Sequence, residues 1–270
     1  LPLKRGLATK VLKIMNPKIS VCIITNAISI ELHEAVKVYP SPFYEIVVGF
    51  NQIAEEAVAS FQLQHPQINC HILKWEGYGP TKNKLARLAK SDWILSIDDD
   101  EVADEELVAH LQQIDLENEN QIFCLQLKHK IGTYRISYGT FGQMEWKKRL
   151  YNKSVVKWDE EEVHEALQYP KSISLRQVNG ILWHYTADTL AEMRTKNTQY
   201  ALMSAQNMYK KGKRISRLKP FMAGFMAFIK QYLFKGGMLD GKIGYQLATE
   251  IARYTKLKYS NLLKLQAANS

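Results

Sequence analysis

The sequence predicts an α/β fold: a mainly parallel sheet flanked by helices, followed by a helical C-terminal region. Three observations predict it. Over the first hundred residues, β-branched apolar runs alternate with amphipathic patterns, the rhythm of parallel strands joined by helical crossovers. From about Gln121, strand-like stretches follow one another without helices between them. From about Thr189 onward the pattern is helical.

The elements follow in order. ISVCIIT (Ile19 to Thr25) is a continuous apolar run, as a strand buried on both faces requires. A helix is expected from about Ser29 to Lys37, ended before Pro40 and Pro42. EIVVG is the next strand, IAEEAVASFQLQ the next helix, closed by Pro66, and Asn69 to Trp75 the third strand. TKNKLARLAK is a short basic helix opening at Thr81. WILSI (Trp93 to Ile97) is the fourth strand and runs into DDDE, with EVADEELVAHL read as a helix after it. IFCLQLKHK, the stretch from Trp146 to Tyr151 and VNGILWHYT extend the sheet or form a small antiparallel patch. Thr189 and Glu192 stand at capping-box spacing. The expected organisation is a basic tail over 1–17, a sheet-bearing domain over 18–186 and a helical region over 187–270.

Bulk properties narrow the function classes. With 46% hydrophobic and 23% charged residues the chain can bury a core, which excludes a disordered protein. A net charge of +9 suits a phosphate-rich partner: a nucleotide sugar, an anionic membrane surface or nucleic acid. The basic residues are spread over helices and the aromatics form no stacking motif, so nucleic acid is not expected. Three widely spaced cysteines, Cys22, Cys70 and Cys124, make neither a disulfide framework nor a zinc site. They are expected to be buried thiols in a reducing, cytoplasmic setting. No secretory signal and no span is recognisable; the longest apolar stretch, PFMAGFMAFIKQYLF, is interrupted by Lys230.

In open α/β sheets ligands bind at the carboxyl ends of the strands. The fourth strand ends in Asp98, Asp99, Asp100 and Glu101. If the chain stays extended, alternation points Asp98 and Asp100 to one side and Asp99 away. Two such carboxylates suit Mg²⁺ or Mn²⁺, the remaining positions falling to water and diphosphate. Glu101, Asp104 and Glu105 read as a solvated acidic helix start. In GYGPTKNK, backbone N–H groups at the helix opening, with Lys82 beside them, would receive a diphosphate, or the lysines are simply solvated. In WDEEEVHEAL, Glu165 follows His164 and is a candidate base for an acceptor hydroxyl, whereas Glu160, Glu161 and Glu162 read as an acidic surface loop. His184 suits a satisfied core position as well as a pocket. Arg149 either binds an anion or faces solvent. The stretch from Tyr209 to Gly237 combines eight basic residues with Phe and Met, the pattern of a helix lying in a membrane interface or of a core helix with a basic edge.

Taken in order, ISVCIIT, EIVV, KWEGYGPTKN, SDWILSIDDDE, RLYNK, VHE, LWHYT, Lys196-x-x-x-Tyr200 and GGMLDGKIGY resemble the motifs of family 2 glycosyltransferases. These are inverting enzymes of the Rossmann-like GT-A fold, and the resemblance is narrower to the branch of lipopolysaccharide-core β-glucosyltransferases. It covers the chain from about residue 19 to 260. It implies transfer of a hexose from a nucleotide sugar to a lipopolysaccharide-core or other lipid-linked cell-envelope glycan, on the inner face of the membrane. It implies that Asp98 and Asp100 hold the cation, and that Thr25, Asn51, Lys82, Asn83, Asp98 and Asp99 meet the donor. Glu165 is the implied base, with Asp100 beside it in catalysis and Glu145 in reserve. It also implies that Arg149, His164 and His184 belong to the acceptor site or the pocket, and Asp240 matches as well. Two segments depart from the family pattern. ITNAIS replaces the usual Asn-Glu pair, and GFNQ replaces an Asp-Ser-Gly-Ser segment whose Asp reads the base, leaving Asn51 as the nearest polar substitute. The rival readings are a sugar nucleotidyltransferase and a non-catalytic nucleotide-binding protein of the same fold.

Overall fold

The computed structural model describes residues 18–41, 43–160 and 165–268. Strands β1 (Ile19–Thr25), β2 (Tyr44–Phe50), β3 (Asn69–Ile72) and β4 (Trp93–Asp98) pair in parallel in the order β3-β2-β1-β4. Helices α1 (Ile30–Ala35), α2 (Glu55–Gln64) and α3 (Tyr78–Leu88) are the crossovers between them. Every residue of β1 and β2 is buried, which is why both are mostly apolar; the polar Ser20 and Glu45 bond each other. Ile19, Val21 and Ile23 pack with α1 and α2 on one face, while Cys22 and Ile24 pack with Leu85 and Ala86 of α3 on the other.

The second half of the sheet is mixed. Strand β5 (Glu101–Ala103) and helix α4 (Glu105–Leu111) precede β6 (Gln121–Ile131), β7 (Tyr134–Arg135), β8 (Glu145–Asn152) and β11 (Ser174–Ala187), with β9 (Lys157–Trp158) and β10 (Leu167–Gln168) forming a separate ribbon. β8 runs antiparallel to both β4 and β6, β11 parallel to β6, and β5 antiparallel to β11. The expected later strands thus extend the main sheet, and its parallel character is confined to the first four strands and the β6–β11 pair. Of the three cysteines, Cys22 and Cys124 are buried and Cys70 half-buried, all unpaired.

The C-terminal region consists of α5 (Leu190–Lys210), α6 (Lys219–Ile229), a π turn over Lys230–Phe234, a 3-10 turn over Gly237–Asp240, and α7 (Gly241–Ala267). Thr189 Oγ1 accepts from the Glu192 N–H at 3.1 Å, and Glu192 Oε2 accepts from the Asp188 N–H at 2.9 Å, so the capping box reaches back one residue further than its usual form. Met193 of α5 and Ile243 and Leu247 of α7 pack on Ile131 and Ala187, which close the far ends of β6 and β11. Among the described residues no helix is long and apolar enough to cross a membrane.

Two expectations need correction here. Helix α3 opens at Tyr78, after Gly77 at φ +95°, and not at Thr81. Pro80 is accommodated because the first turn needs no N–H donors. Asp99, Asp100 and Glu101 do not begin a helix either, whereas Asp104 and Glu105 do. Residues 99 and 100 turn, Glu101 enters β5, and Asp104 caps α4 by accepting from the Leu107 N–H at 2.8 Å.

Candidate active site

Register brings the strand ends together. Ile24 of β1 sits beside Asp98 of β4, and Thr25 beside Phe50 of β2, so Thr25, Asn51 and Asp98 emerge at one edge. The Asn51 backbone N–H and side-chain Nδ2 both donate to the Thr25 carbonyl, at 2.9 and 2.8 Å. Asn51 Oδ1 keeps no partner among the described residues, and Asn51 lines a cavity of about 300 Å³ with Thr25, Trp75, Tyr78 and Asp99. Trp75 and Tyr78 meet edge to face at 4.8 Å there. Thr25 Oγ1 lies 2.5 Å from Asp99 Oδ2 and 2.6 Å from the Ala27 carbonyl oxygen.

Because the chain turns after Asp98, the alternation expected of Asp98 to Asp100 fails. The three carboxylates part to three different partners, and Asp99, expected to point away, is the one that lines the Thr25 cavity. Asp98 Oδ1 accepts from Lys82 Nζ at 2.9 Å and Oδ2 from Arg149 Nη2 at 2.8 Å. Burial opposes its charge, but Arg149 and Lys82 outweigh burial and hold its pKa well below the carboxylate range. Asp100 Oδ2 bonds His184 Nε2 at 3.0 Å, and Asp100 remains half exposed. Burial, followed by the charges of Asp100 and Asp98, pushes Asp99 up in spite of the Thr25 hydrogen bond.

Lys82 is 3% exposed and does not stand free at a helix start. Its Nζ bridges Asp98 and Glu165 Oε1, both at 2.9 Å, and lies 4.6 Å from the centroid of the Trp158 ring. Asn83, one residue on, spends both its amide atoms on the Trp158 backbone: Nδ2 donates to the carbonyl and Oδ1 accepts from the N–H, each at 2.9 Å. It therefore pins the loop that carries Glu165 instead of facing the donor cavity. Asp98, Arg149, Trp146, Trp158 and Glu165 line a second cavity of about 380 Å³. His164, Glu161 and Glu162 lie outside the described residues.

Glu101 corrects the reading of a solvated acid. It is 2% exposed, accepts from Arg149 Nη2, and its Oε2 accepts from the Asp98 N–H at 3.0 Å. Arg149 is accordingly buried between two carboxylates, and its pKa is raised because Glu101 and Asp98 outweigh burial. Sequence reasoning also missed His129. Its ring touches His184 Nδ1 at 3.0 Å because β6 and β11 pair His129 with His184. Burial and the neighbouring His184 lower the His129 pKa to about 4, while Asp100 and its companions overcome burial and raise that of His184. A pairing of strands 55 residues apart leaves no local signal for His129. Glu101 did leave one: a carboxylate two residues before the apolar Ala103, in a register that buries it.

The arrangement has two carboxylates, Asp98 and Glu165, bridged by a buried lysine, and beside them a polar cavity edged by aromatic rings and acids. The sequence pattern described as glycosyl transferase family 2 matches residues 31–182, more than half of the chain. The chain belongs to glycosyl transferase family 2. The transferase is 24% identical over 265 residues to the uncharacterized glycosyltransferase RP128 of Rickettsia prowazekii (strain Madrid E), covering 93% of this chain and 89% of that protein. A glycosyltransferase of Rickettsia conorii (strain ATCC VR-613 / Malish 7), RC0292, is also 24% identical, with 93% of each chain covered. Among solved structures, S. aureus TarS 1-349 in complex with UDP-GlcNAc is similar at a TM-score of 0.39 and 12% identity, over 90% of this chain and 91% of that one.

Within the transferase the remaining expected residues fall at the periphery. Glu145 pairs with Lys147 at 2.6 Å on the exposed start of β8. Asp240 accepts from the Ser137 and Tyr138 N–H groups at 3.3 and 2.9 Å, tying the 137–138 loop to the C-terminal helices. Lys196 pairs with Glu192 at 2.6 Å, and that hydrogen bond, ahead of the charge of Asp100, raises its pKa. Tyr200, one helical turn on, is exposed.

Proposed function

We propose that this family 2 transferase moves a hexose from a nucleotide sugar to a lipopolysaccharide-core or other lipid-linked cell-envelope glycan, with inversion at the anomeric carbon. The enzyme works in the cytoplasm, peripheral to the inner face of the membrane. The observation that carries the reading is Glu165 held by Lys82 against Asp98, opening on one cavity while Thr25, Asn51 and Asp99 open on its neighbour.

The nucleoside occupies the Thr25 cavity. Asn51 Oδ1 accepts from the base, at the place where the family's Asp stands, and Trp75 and Tyr78 flank it. The acceptor hydroxyl enters the second cavity and attacks the anomeric carbon from the face opposite the diphosphate. Its oxygen forms the new bond, the bond to the phosphate oxygen breaks with its electron pair, and the hydroxyl proton passes to Glu165. Lys82 orients the Glu165 carboxylate, and Arg149 with Glu101 fixes Asp98 behind Lys82.

The residues present fit a divalent cation at Asp100 and not at Asp98. Both Asp98 oxygens already accept from protein cations, whereas Asp100 engages only its Oδ2, with His184, and stands beside Asp99 and Asp98. Among the described residues no three His, Cys, Asp or Glu converge, so Mg²⁺ or Mn²⁺ would be held by Asp100, with His184 beside it, and by donor oxygens and water. It would supply charge to neutralise the departing diphosphate.

The test is stereochemical. The protein is incubated with a panel of nucleotide sugars and lipopolysaccharide-core acceptors, and the product is read by NMR. An inverted anomeric configuration is expected. A retained configuration, or release of pyrophosphate from a nucleoside triphosphate in place of sugar transfer, contradicts the proposal.

A further inference from the structure

The charge of the chain is not spread evenly. Between Glu192 and Asp240 no acidic residue occurs, while ten Lys and Arg do. The overall charge of +9 therefore resides in this stretch, and the rest of the chain is close to neutral. Lys210, Lys211, Lys213, Arg214, Arg217 and Lys219 run from the end of α5 into the start of α6, all of them exposed.

Helix α6 joins this basic segment to an apolar surface facing outward. Pro220 and Gly224 form its buried side. Gly224 permits a close approach to α7, since a Cβ there would lie 3.1 Å from Lys256 Cβ and 3.2 Å from the Ala252 carbonyl oxygen. The opposite side carries Leu218, Phe221, Met222, Phe225 and Met226, at the i, i+3, i+4, i+7, i+8 spacing of one helical stripe. In a soluble core such a stripe is covered, but Phe221 is 62% and Phe225 65% exposed. The exposed apolar surface continues into the π turn, where Phe234 is 80% exposed. Lys256 Nζ lies 4.5 Å from the centroid of the Phe221 ring, so cationic heads flank the stripe.

We infer that the α6 stripe is a membrane-insertion surface that lies in the plane of an anionic bilayer. Phe221, Met222, Phe225 and Met226 enter the boundary between headgroups and acyl chains, and the Lys210 to Lys219 segment meets the lipid phosphates. This deepens the peripheral placement proposed above and rests on that placement alone, not on the donor chemistry. Charge complementarity selects the occupant. A protein partner of ordinary composition would not require a run of 47 residues free of acids, whereas a negative lipid surface favours one. The stripe is in-plane and not spanning, because α6 has 11 residues.

The full chain is mixed with vesicles of phosphatidylcholine alone and with vesicles containing phosphatidylglycerol, and the bound fraction is read by flotation. Binding to the anionic vesicles is expected, weakened by high salt and reduced about tenfold or more in Phe221→Ser/Phe225→Ser. The same double variant should bind nucleoside diphosphate as the parent protein does, which separates this inference from the reading of the active site. No binding to anionic vesicles, or equal binding of the double variant, overturns it. So does a parent protein that self-associates through the stripe and becomes monomeric in the variant without ever floating.

Discussion

At the scale of single residues, the candidate site is a chain of paired charges in which Lys82, Arg149 and Glu101 are buried and each member needs the next. Arg149 is enclosed between Asp98 and Glu101, and Glu101 is itself 2% exposed. Replacing the guanidinium by an apolar side chain strands Glu101 without its counter-charge, so Arg149→Met should cost about 3–5 kcal/mol in urea unfolding. A loss below about 1 kcal/mol, typical of a surface pair, would place Arg149 outside this chain of charges. Lys82 has a different task. Lys82→Met removes the cation between Asp98 and Glu165 and should lower turnover while leaving nucleotide binding close to that of the parent protein. Were Lys82 a donor ligand instead, Kd for the nucleotide would rise along with the loss of turnover. Which acids matter was only partly legible in the sequence. Asp98 to Asp100 announce themselves at a strand end, and Glu165 by its motif, yet the alternation argument failed because a turn replaces the extended chain after Asp98. Arg149 could not be decided from KKRLY, since its burial comes from the pairing of β8 with β4 and β6.

At the scale of elements, two contacts hold the pieces that carry the site. Helix α3 approaches the β9 segment so closely that a Cβ on Gly79 would collide with the Asp159 carbonyl oxygen. Gly79→Ala must displace α3, and with it Lys82 and Asn83, so a loss of about 1–3 kcal/mol in stability is expected together with reduced turnover. Unchanged thermal stability and activity would show that the helix has room. In the C-terminal region, buried Glu250 of α7 receives Arg194 and Asn197 of α5 and Arg253 of its own helix. Burial opposes its charge, but those donors outweigh burial and hold its pKa below the usual 4.5. A depressed folded pKa contributes stability that is complete above the unfolded value and is lost as pH falls through the folded one. The stability gap between the parent protein and Glu250→Gln should thus be constant above about pH 4.5 and shrink on further acidification. A gap that instead widens in acid would contradict this linkage. Strands β1, β2 and β4 were legible because burial on both faces leaves a run dominated by apolar residues. The start of α3 was not, because a proline in the first helical turn looks like a loop until the N–H bookkeeping is done.

At the scale of the whole molecule, a parallel half-sheet supplies the edge that opens on the Thr25 cavity, and a mixed half supplies walls of the cavity that Glu165 lines. The helical C-terminal region packs on the far ends of β6 and β11 and carries all the excess positive charge. Fold class and the position of the site follow from the order of elements and the strand-end rule. The partition of the acids follows only from three-dimensional register. The most direct measurement compares the parent protein with Glu165→Gln in two assays: calorimetric binding of nucleoside diphosphate, and release of nucleoside diphosphate from a nucleotide sugar with a lipid-linked glycan acceptor present. If Glu165 takes the acceptor proton, binding stays unchanged and turnover falls by about 10²- to 10⁴-fold; turnover within a few-fold of the parent protein would contradict the assignment.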